Sequence, residues 1–175
     1  MGHEQEEFAE FYRATRDSCL RAVTAVVGDA QLADELVAEA FARAWTSWGK
    51  VRGYAAPRAW VVRTALNTGV SWWRKRRREE PLVGQDKAAP AGTSDGVDPA
   101  LMAALRRLPV RQREVLALRI ILDLDTETTA RALGIATGTV TAHLSRAVAT
   151  LRRDLPPPSS YTSTSQFKNT TEVIK

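Results

Sequence analysis

The polar side chains with the most regular spacing in this sequence are cations and an amide in the stretch from residue 57 to residue 78. Intervals of three and four residues place the following on one side of an α-helix: Arg63, Asn67, Ser71, Arg74 and Arg78. With Lys75 they end in an unbroken run of cations, which repel one another unless an anion neutralises them. Phosphate is the anion that such a run favours, and a solvated helix end is the alternative interpretation. The Asn67 amide, which is both donor and acceptor, suits either a base edge or a buried bond between two helices.

A second group of short polar side chains lies in the segment TGTVTAHLSRAVATLRR. Apolar residues recur there at helical spacing and predict a helix that starts near Thr137 and buries one face. The residues left outside or at the flanks are Thr139, Thr141, Ala142, His143, Ser145 and Arg146. The preceding segment, TETTARALG, predicts a helix of about two turns that Asp125 caps and Gly134 closes. Such a helix-turn-helix unit can enter the DNA major groove and hydrogen-bond base edges.

The residues that would support catalysis or metal binding are few. The sequence contains one cysteine, Cys19, and two histidines, His3 and His143, so it offers neither an internal disulfide nor a set of zinc ligands. It contains no phosphate-cradling loop, zinc-protease motif or nucleophile elbow. We therefore expect no catalytic residue, no metal, no cofactor and no small-molecule substrate. The acidic N-terminus lacks a signal peptide, and no stretch resembles a membrane span, which predicts a cytoplasmic protein.

Changes in composition divide the chain into two structured halves. Residues 81–98 are small, polar and rich in glycine, proline and alanine, which predicts a flexible linker. Residues 156–175 have too little apolar surface to offset the entropy of ordering, which predicts a disordered tail. Residues 1–80 and 99–155 both show helical periodicity, so we predict an all-α fold with two small helical domains that move independently. The excess of 25 Lys and Arg over 20 Asp and Glu favours a polyanionic partner.

The first half should contain a helix that Asp29 caps and that runs to about Trp45. Its apolar stripe predicts burial of Phe41 and Trp45, since such aromatic residues belong to the core more often than to a contact surface. Its other face is typical of a solvated surface and consists of Asp34, Glu35, Glu39 and Arg43. After a loop at residues 49–56, a second helix is predicted to begin at Pro57. Its inward stripe consists of Ala59, Val62, Leu66, Val70 and Trp73.

Several of these segments resemble the extracytoplasmic-function sigma factors of the sigma-70 family, in the sigma-E-like group. DELVAEAFARAW, PRAWVVRTALN and WWRKRRR resemble sigma region 2, and LPVRQREVLALR and LGIATGTVTAHLSRAVATLRR resemble sigma region 4. The likeness covers about residues 5–80 and 100–155. Both regions in this order, with a linker between them, are typical of the family. The resemblance implies an alternative sigma factor that binds core RNA polymerase and directs promoter-specific transcription initiation.

The resemblance also implies roles for the residues described above. The clamp of the polymerase beta-prime subunit would contact Asp34, Glu35, Glu39 and Arg43. The minus-ten promoter element would be read and melted by residues 49–56 together with Arg63, Asn67, Ser71, Arg74, Lys75 and Arg78. The minus-thirty-five element would be read by Thr139, Thr141, Ala142, His143, Ser145 and Arg146. Further implied partners are the polymerase beta flap and an anti-sigma protein, and the implied location is the nucleoid.

Region 4 departs from the family pattern at several positions. Thr128 and Thr129 stand where the family has a glutamate and an aliphatic residue. We therefore expect Asp125 to lose a capping partner and the core to lose some apolar burial. A serine cap and basic residues are replaced by Ala136, Thr141 and His143. These departures predict a weak or unusual grip on the minus-thirty-five element.

A one-component transcriptional regulator is the alternative function. The segment TVTAHLSRAVATL also resembles the DNA-reading helix of response-regulator output domains. The first half would then be a sensor or a dimerisation domain. A sensor needs neither the acidic helix face nor the arginine run, which favours the sigma factor.

Overall fold

The computed structural model describes residues 2–79 and 98–155, with the backbone alone for residues 71–79. All regular secondary structure in these ranges is helical, which confirms the predicted all-α fold class. The first half contains α1 (Gly2–Val27), α2 (Ala30–Thr46), the short α3 (Trp48–Val51) and α4 (Pro57–Glu79). The second half contains α5 (Pro99–Arg107), α6 (Val110–Leu116), a π-helical turn (Ala117–Ile121), α7 (Thr126–Leu133) and α8 (Thr137–Asp154). Apart from Asp98, the predicted linker and tail lie outside these ranges, and the loop predicted for residues 49–56 contains the end of α3.

Short polar residues begin the helices where the sequence predicts. Asp29 Oδ1 accepts a hydrogen bond of 3.0 Å from the Leu32 amide. Asp125 Oδ1 accepts one of 2.7 Å from the Thr128 amide, and its Oδ2 accepts one of 2.8 Å from the Thr128 hydroxyl. Asp125 therefore keeps a side-chain partner, contrary to the expectation from the missing glutamate. Gly134 ends α7 with a φ of 65°, a left-handed conformation that glycine adopts without strain.

The core of the first half lies between α1, α2 and α4. Each helix contributes one apolar stripe, and completely enclosed side chains include Cys19, Leu36 and Val62. Burial raises the pKa of the Cys19 thiol to about 12, so the thiol stays protonated. Cys19 therefore packs as a small buried residue of α1.

The stripe predicted for α4 is only partly correct. The residues of the stripe that are buried are Ala59, Val62 and Leu66. Val70 is 51% exposed because Gly69, the residue before it, is the one that faces α2. A Cβ atom at position 69 would lie 3.0 Å from Leu36 Cδ1, which is too close for a relaxed contact. The side chain of Trp73 lies outside the described part of the chain.

The two halves pack against each other. α1 contacts α5, α6 and the π-helical turn, and α4 contacts α7. Leu118 and Leu122 are each 1% exposed and belong to the same buried core as Val23 and Val26 of α1. Parting the halves would expose this apolar surface to water. The halves share a core in this arrangement, and the independent motion expected from the linker, which lies outside the described residues, stays a prediction.

A π-helical turn lies at these leucines. The Leu122 amide donates a hydrogen bond of 3.0 Å to the Ala117 carbonyl, five residues earlier. Leu118 and Leu122 lie four residues apart on the enclosed side, whereas Ile120 between them is 59% exposed. Asp123 then adopts a φ of 48°, which turns the chain toward α7.

Two arginine side chains cross between the halves. Arg106 of α5 donates from Nη2 to the Gly28 carbonyl, 3.0 Å away and just beyond the end of α1. Arg63 of α4 donates from Nη1 to the Ala132 carbonyl in the last turn of α7. Carbonyl groups at helix C-termini lack intrahelical partners, and the helix dipole favours a cation there. Each half thus supplies a cation to a helix end of the other.

The Asp125 cap generates a prediction about stability and pH. Hydrogen bonds from the Thr128 amide and then from its hydroxyl lower the pKa of Asp125. Because the folded pKa is depressed, the ionised cap contributes fully above the unfolded pKa of about 3.9, and its contribution is lost as pH falls through the folded value. We expect Asp125→Ala to lower the thermal midpoint at pH 7 and to lower it less at pH 3.

Circular dichroism melting of the full chain measures this difference. Asp125→Asn is the matched control, because it keeps an acceptor oxygen but cannot ionise in this range. The difference between Asp125→Asn and Asp125→Ala should therefore be the same at both pH values. If Asp125→Ala lowers the thermal midpoint by the same amount at pH 7 and at pH 3, the ionised carboxylate has no role in the cap.

Candidate functional site

α2 turns one face to the core and the other to solvent. The buried face consists of Ala33, Leu36, Val37, Ala40, Phe41 and Ala44. The four residues predicted to contact polymerase all lie at accessible positions of the same helix: Asp34, Glu35, Glu39 and Arg43. Glu39 is half-buried, and the other three are exposed. The structure therefore brings the predicted set together on one surface, which we call the α2 outer face.

Two ion pairs orient the carboxylates of the α2 outer face. Arg16 Nη2 of α1 lies 2.8 Å from Asp34 Oδ1. Arg43 Nε lies 2.8 Å from Glu39 Oε1, one helical turn away. Pairs between exposed side chains contribute about 0–1 kcal/mol to stability, because water screens them. A cationic partner could therefore compete for these carboxylates at small cost.

Trp45 extends the α2 outer face with an aromatic surface. Its ring centroid lies 5.1 Å from that of Phe8, yet 45% of the residue is exposed. The prediction that Trp45 is buried was wrong, whereas Phe41 is buried as predicted. The sequence does carry a signal, since Trp45 lies eleven positions after Asp34, about three helical turns, which places both on one face. A large apolar side chain beside accessible carboxylates is typical of a protein contact surface.

A polar cleft lies beside the α2 outer face, between the end of α2 and the middle of α4. Its volume is about 530 Å³, and its lining residues are Arg43, Thr46, Ser47, Trp60, Thr64, Asn67 and Thr68. Asn67 is exposed, so the alternative of an asparagine buried between two helices does not hold. A guanidinium suits phosphate, an amide and hydroxyls suit a base edge, and an indole ring suits base stacking. The cleft therefore has the chemistry of a nucleotide-binding surface.

Sequence reasoning missed several residues of this cleft. Trp60 lies seven residues before Asn67, a spacing that places both on one side of α4 and could have identified it. Ser47 follows the end of α2 and reaches the cleft only through the packing of α2 on α4. No local pattern marks such a residue.

Arg63 lies apart from the cleft, although the sequence placed it in one set with Asn67. It is half-buried, and its guanidinium is bonded to the Ala132 carbonyl of α7. It lines a second cleft, of about 330 Å³, between residues 54–56 and α7. The side chains of the other predicted members lie outside the described part of the chain, although α4 continues to Glu79: Ser71, Arg74, Lys75 and Arg78.

α7 and α8 form the predicted helix-turn-helix. Val140 and Ala147 are completely buried and hold α8 against the rest of the second half. The predicted DNA-reading residues that are exposed are Thr139, Thr141, Ser145 and Arg146, whereas Ala142 and His143 are half-buried. Ala136, at the N-cap of α8, makes no side-chain capping bond. Of the predicted residues only Arg146 is a permanent cation, so the predicted reading face of α8 has little charge.

Thr129 belongs to the core of this unit. Its side chain is completely buried, so the position keeps its place in the core. Within the described part of the chain, its Oγ1 has no hydrogen-bond partner. The cost of a threonine at this core position therefore comes from its unsatisfied hydroxyl, which is costly to bury, and not from exposure of the side chain.

The described part of the chain offers neither a metal site nor a membrane span. No group of three or more His, Cys, Asp or Glu residues in residues 2–70 and 98–155 could hold a metal ion. Within the helices that the structure describes, none is long and apolar enough to cross a membrane.

Two protein families match this chain in the order that the folded halves have. Residues 11–79 match the family described as sigma-70 region 2. Residues 99–151 match the family described as sigma-70, region 4. The first match contains the α2 outer face and the polar cleft, and the second contains the helix-turn-helix.

Individual relatives agree with these matches. The chain is 37% identical to the RNA polymerase sigma-E factor of Streptomyces coelicolor over 85% of this chain and 86% of the relative. It is 36% identical to the sigma-E factor of Streptomyces avermitilis over 89% of each chain. Among solved structures, the sigma factor RpoE of Bartonella quintana, solved in complex with the anti-sigma factor NepR, has a TM-score of 0.70. Its sequence identity is 22%, over 85% of this chain and 96% of that chain, and it shows the common fold. The chain therefore belongs to the extracytoplasmic-function sigma factors of the sigma-70 family.

Proposed function

We infer that the chain binds core RNA polymerase and directs promoter-specific transcription initiation, as a subunit without an enzymatic activity of its own. One observation carries the inference: the half that matches sigma-70 region 2 places a protein-contact face and a nucleotide-binding cleft side by side. Arg43 belongs to both, since it pairs with Glu39 and lines the cleft. An initiation factor needs such an arrangement, because it must hold polymerase and read DNA at the same time.

The inference extends to a regulatory partner and a location. The Bartonella quintana sigma factor of the same fold was solved in complex with an anti-sigma factor, which supports an anti-sigma partner for this chain. Promoter DNA as the ligand supports a location at the nucleoid.

We assign polymerase binding to the α2 outer face. Asp34, Glu35 and Glu39 supply accessible carboxylates that favour a basic surface on the beta-prime clamp. Trp45 supplies the apolar anchor, since large aromatic side chains contribute most of the affinity at many interfaces. The face is already formed in the free chain, so binding there needs little ordering.

Charge reversal tests this assignment. We expect Glu35→Arg combined with Glu39→Arg to weaken binding to core polymerase by about tenfold or more, because two attractive charges become repulsive. The matched control is Glu6→Arg with Glu10→Arg, which has the same spacing and charge change on exposed positions of α1. Fluorescence anisotropy titration with core polymerase measures the affinity of each labelled double variant. Equal affinities of the two double variants would show that α2 is not the docking surface.

We assign minus-ten recognition to the polar cleft and to the cations at the end of α4. Asn67 and the cleft hydroxyls can bond a base of the non-template strand, while Trp60 offers a ring for stacking. Arg74, Lys75 and Arg78 continue the same helix and would bind phosphates, together with Ser71. Sequence preference would then depend on the cleft and general affinity on the cations.

Substitutions should separate these two kinds of contact. Asn67→Ala should cost about 1–3 kcal/mol on the preferred promoter and less on a mismatched one, with little change in the salt dependence. Arg74→Ala with Arg78→Ala should weaken initiation on every promoter, and the salt slope should fall by about one for each phosphate that is no longer bound. Arg13→Ala with Arg21→Ala removes two exposed cations from α1 and is the control. Initiation is measured on a promoter panel at several salt concentrations. A uniform loss with Asn67→Ala would refute its base-reading role.

We assign minus-thirty-five recognition and the beta-flap contact to the second half. α8 offers hydroxyls at Thr139, Thr141 and Ser145 and a guanidinium at Arg146. Thr141 Oγ1 already donates to the Thr137 carbonyl at 3.2 Å, which reduces its capacity to donate to a base. Ala142 and His143 complete the assigned set from half-buried positions. A reading face with one permanent cation supports a weak grip on this element, so region 2 and polymerase would contribute most of the affinity.

A further inference from the structure

We propose that α8 recognises the C5-methyl group of thymine in the minus-thirty-five element, through the side-chain methyl groups of Thr141 and Ala142. The inference rests on the proposed function for the identity of the DNA site, and it adds which feature of a base pair this chain reads there. Its structural basis is the hydrogen bond that occupies the Thr141 hydroxyl, together with the side of α8 on which the two residues lie.

Thr141 and Ala142 lie on the part of α8 that can enter a major groove. Both belong to the first two turns of this helix (Thr137–Asp154), and the N-terminal residues of a recognition helix are those that contact base edges. Val140, just before them, is completely buried. Because each residue turns the helix by about 100°, Thr141 and Ala142 lie about 100° and about 200° around the axis from Val140. They are therefore on the solvent side, Thr141 exposed and Ala142 half-buried.

The hydroxyl of Thr141 is already used by the helix. Its Oγ1 donates a hydrogen bond of 3.2 Å to the Thr137 carbonyl, four residues earlier. Two heavy atoms on Cβ restrict the χ1 angle of a threonine, so a hydroxyl turned back to the backbone leaves the Cγ2 methyl group for an outside contact. Ala142 has a methyl group and no polar side-chain atom. The two residues therefore present apolar surface to a base pair, without a side-chain donor to spare.

Thymine is the base that such a surface matches. In the major groove, guanine, adenine and cytosine present polar groups, whereas thymine adds a C5-methyl group to its O4 acceptor. Alanine and the methyl group of threonine are side-chain groups that contact this methyl. An apolar contact also suits a reading face on which Arg146 is the one permanent cation among the predicted residues, because the burial of a methyl group needs no charge.

The contact should depend on the methyl group and not on the polar atom beside it. Thymine has an acceptor next to its methyl group, and 5-methylcytosine has a donor at the same place. Neither Ala142 nor the occupied Thr141 hydroxyl can donate to one and refuse the other. Ser145 and Arg146, about one turn further along α8, would contact other base pairs with polar groups. The methyl effect should therefore be confined to one or two positions of the element.

Removal of single methyl groups from the DNA tests the proposal without changing the protein. Labelled promoter fragments at which the chain directs initiation are made with uracil in place of one thymine at a time across the minus-thirty-five element. Fluorescence anisotropy gives the Kd of the full chain with core polymerase for each fragment at several salt concentrations. We expect Kd to rise about threefold to fourfold at one or two thymines, the effect of one methyl group, with an unchanged salt slope. At those positions, 5-methylcytosine paired with guanine should bind more tightly than cytosine by a similar factor.

Thr141→Ser removes a methyl group from the protein and keeps the hydroxyl that bonds the Thr137 carbonyl. We expect it to raise Kd on the thymine fragment by about threefold to fourfold and to have little further effect on the uracil fragment, because the effects of groups in contact are not additive. Thr150→Ser is the matched control, since it makes the same change on α8, nine positions later and outside the predicted reading set. It should bind both fragments as the native chain does.

Three outcomes would overturn the proposal. One is equal affinity for all uracil fragments while base-pair changes in the element still weaken binding. Another is a uracil effect of the same size in Thr141→Ser as in the native chain, because then Thr141 does not contact the methyl group. The third is a uracil effect that comes with a smaller salt slope, because then a phosphate contact has been lost. In these three cases the chain still selects promoters and the proposed function stands, whereas binding without any promoter preference would contradict the proposed function and the methyl contact together.

Discussion

The joint burial of Leu118 and Leu122 with the apolar face of α1 is the interaction on which the arrangement of the two halves depends. Both leucines lie on the side of the helix that faces α1, and Ile120 between them lies on the solvent side. Apolar surface removed from water is the main favourable contribution to folding, so this contact determines how the second half lies on the first. It places α7 against residues 54–56 and leaves α8 facing outward. The second cleft and the exposed polar face of α8 are consequences of that packing.

The first half uses α2 for two tasks at once. Its apolar face supplies Leu36 and Phe41 to the core, and its outer face keeps carboxylates and Trp45 accessible. The polar cleft opens where α2 ends on α4, so Arg43 lies within reach of both surfaces. A helix that packs firmly on one side can hold binding groups in fixed positions on the other without a cost in ordering them. The proximity of the α2 outer face and the polar cleft is thus a consequence of how α2 is packed.

Local features of the fold could be predicted from the sequence because each depends on neighbouring residues. The caps at Asp29 and Asp125 and the left-handed Gly134 are determined within one helical turn. The composition of the α2 outer face followed from helical periodicity in the same way. The burial predicted for Trp45 was wrong because helical periodicity shows which face is apolar but does not show how far a neighbouring helix covers that face.

The contacts between the halves could not be predicted. Arg63 and Ala132 lie 69 positions apart, and Arg106 and Gly28 lie 78 apart, with nothing in either local sequence to mark the partner. Arg63 on α4 was expected to contact DNA. In the structure its guanidinium donates instead to a helix carbonyl, which lacks an intrahelical partner. The stretch between the halves has the composition of a flexible linker, and composition does not determine whether the flanking domains share a core.

Mapping of transcript 5′ ends shows whether this chain gives RNA polymerase its choice of promoter. Core polymerase is incubated with genomic DNA in the presence and absence of the full chain, and the 5′ ends are sequenced. We predict discrete new start sites that appear only with the chain and share sequence elements near minus ten and, more weakly, near minus thirty-five. A set of 5′ ends that the chain leaves unchanged would contradict it.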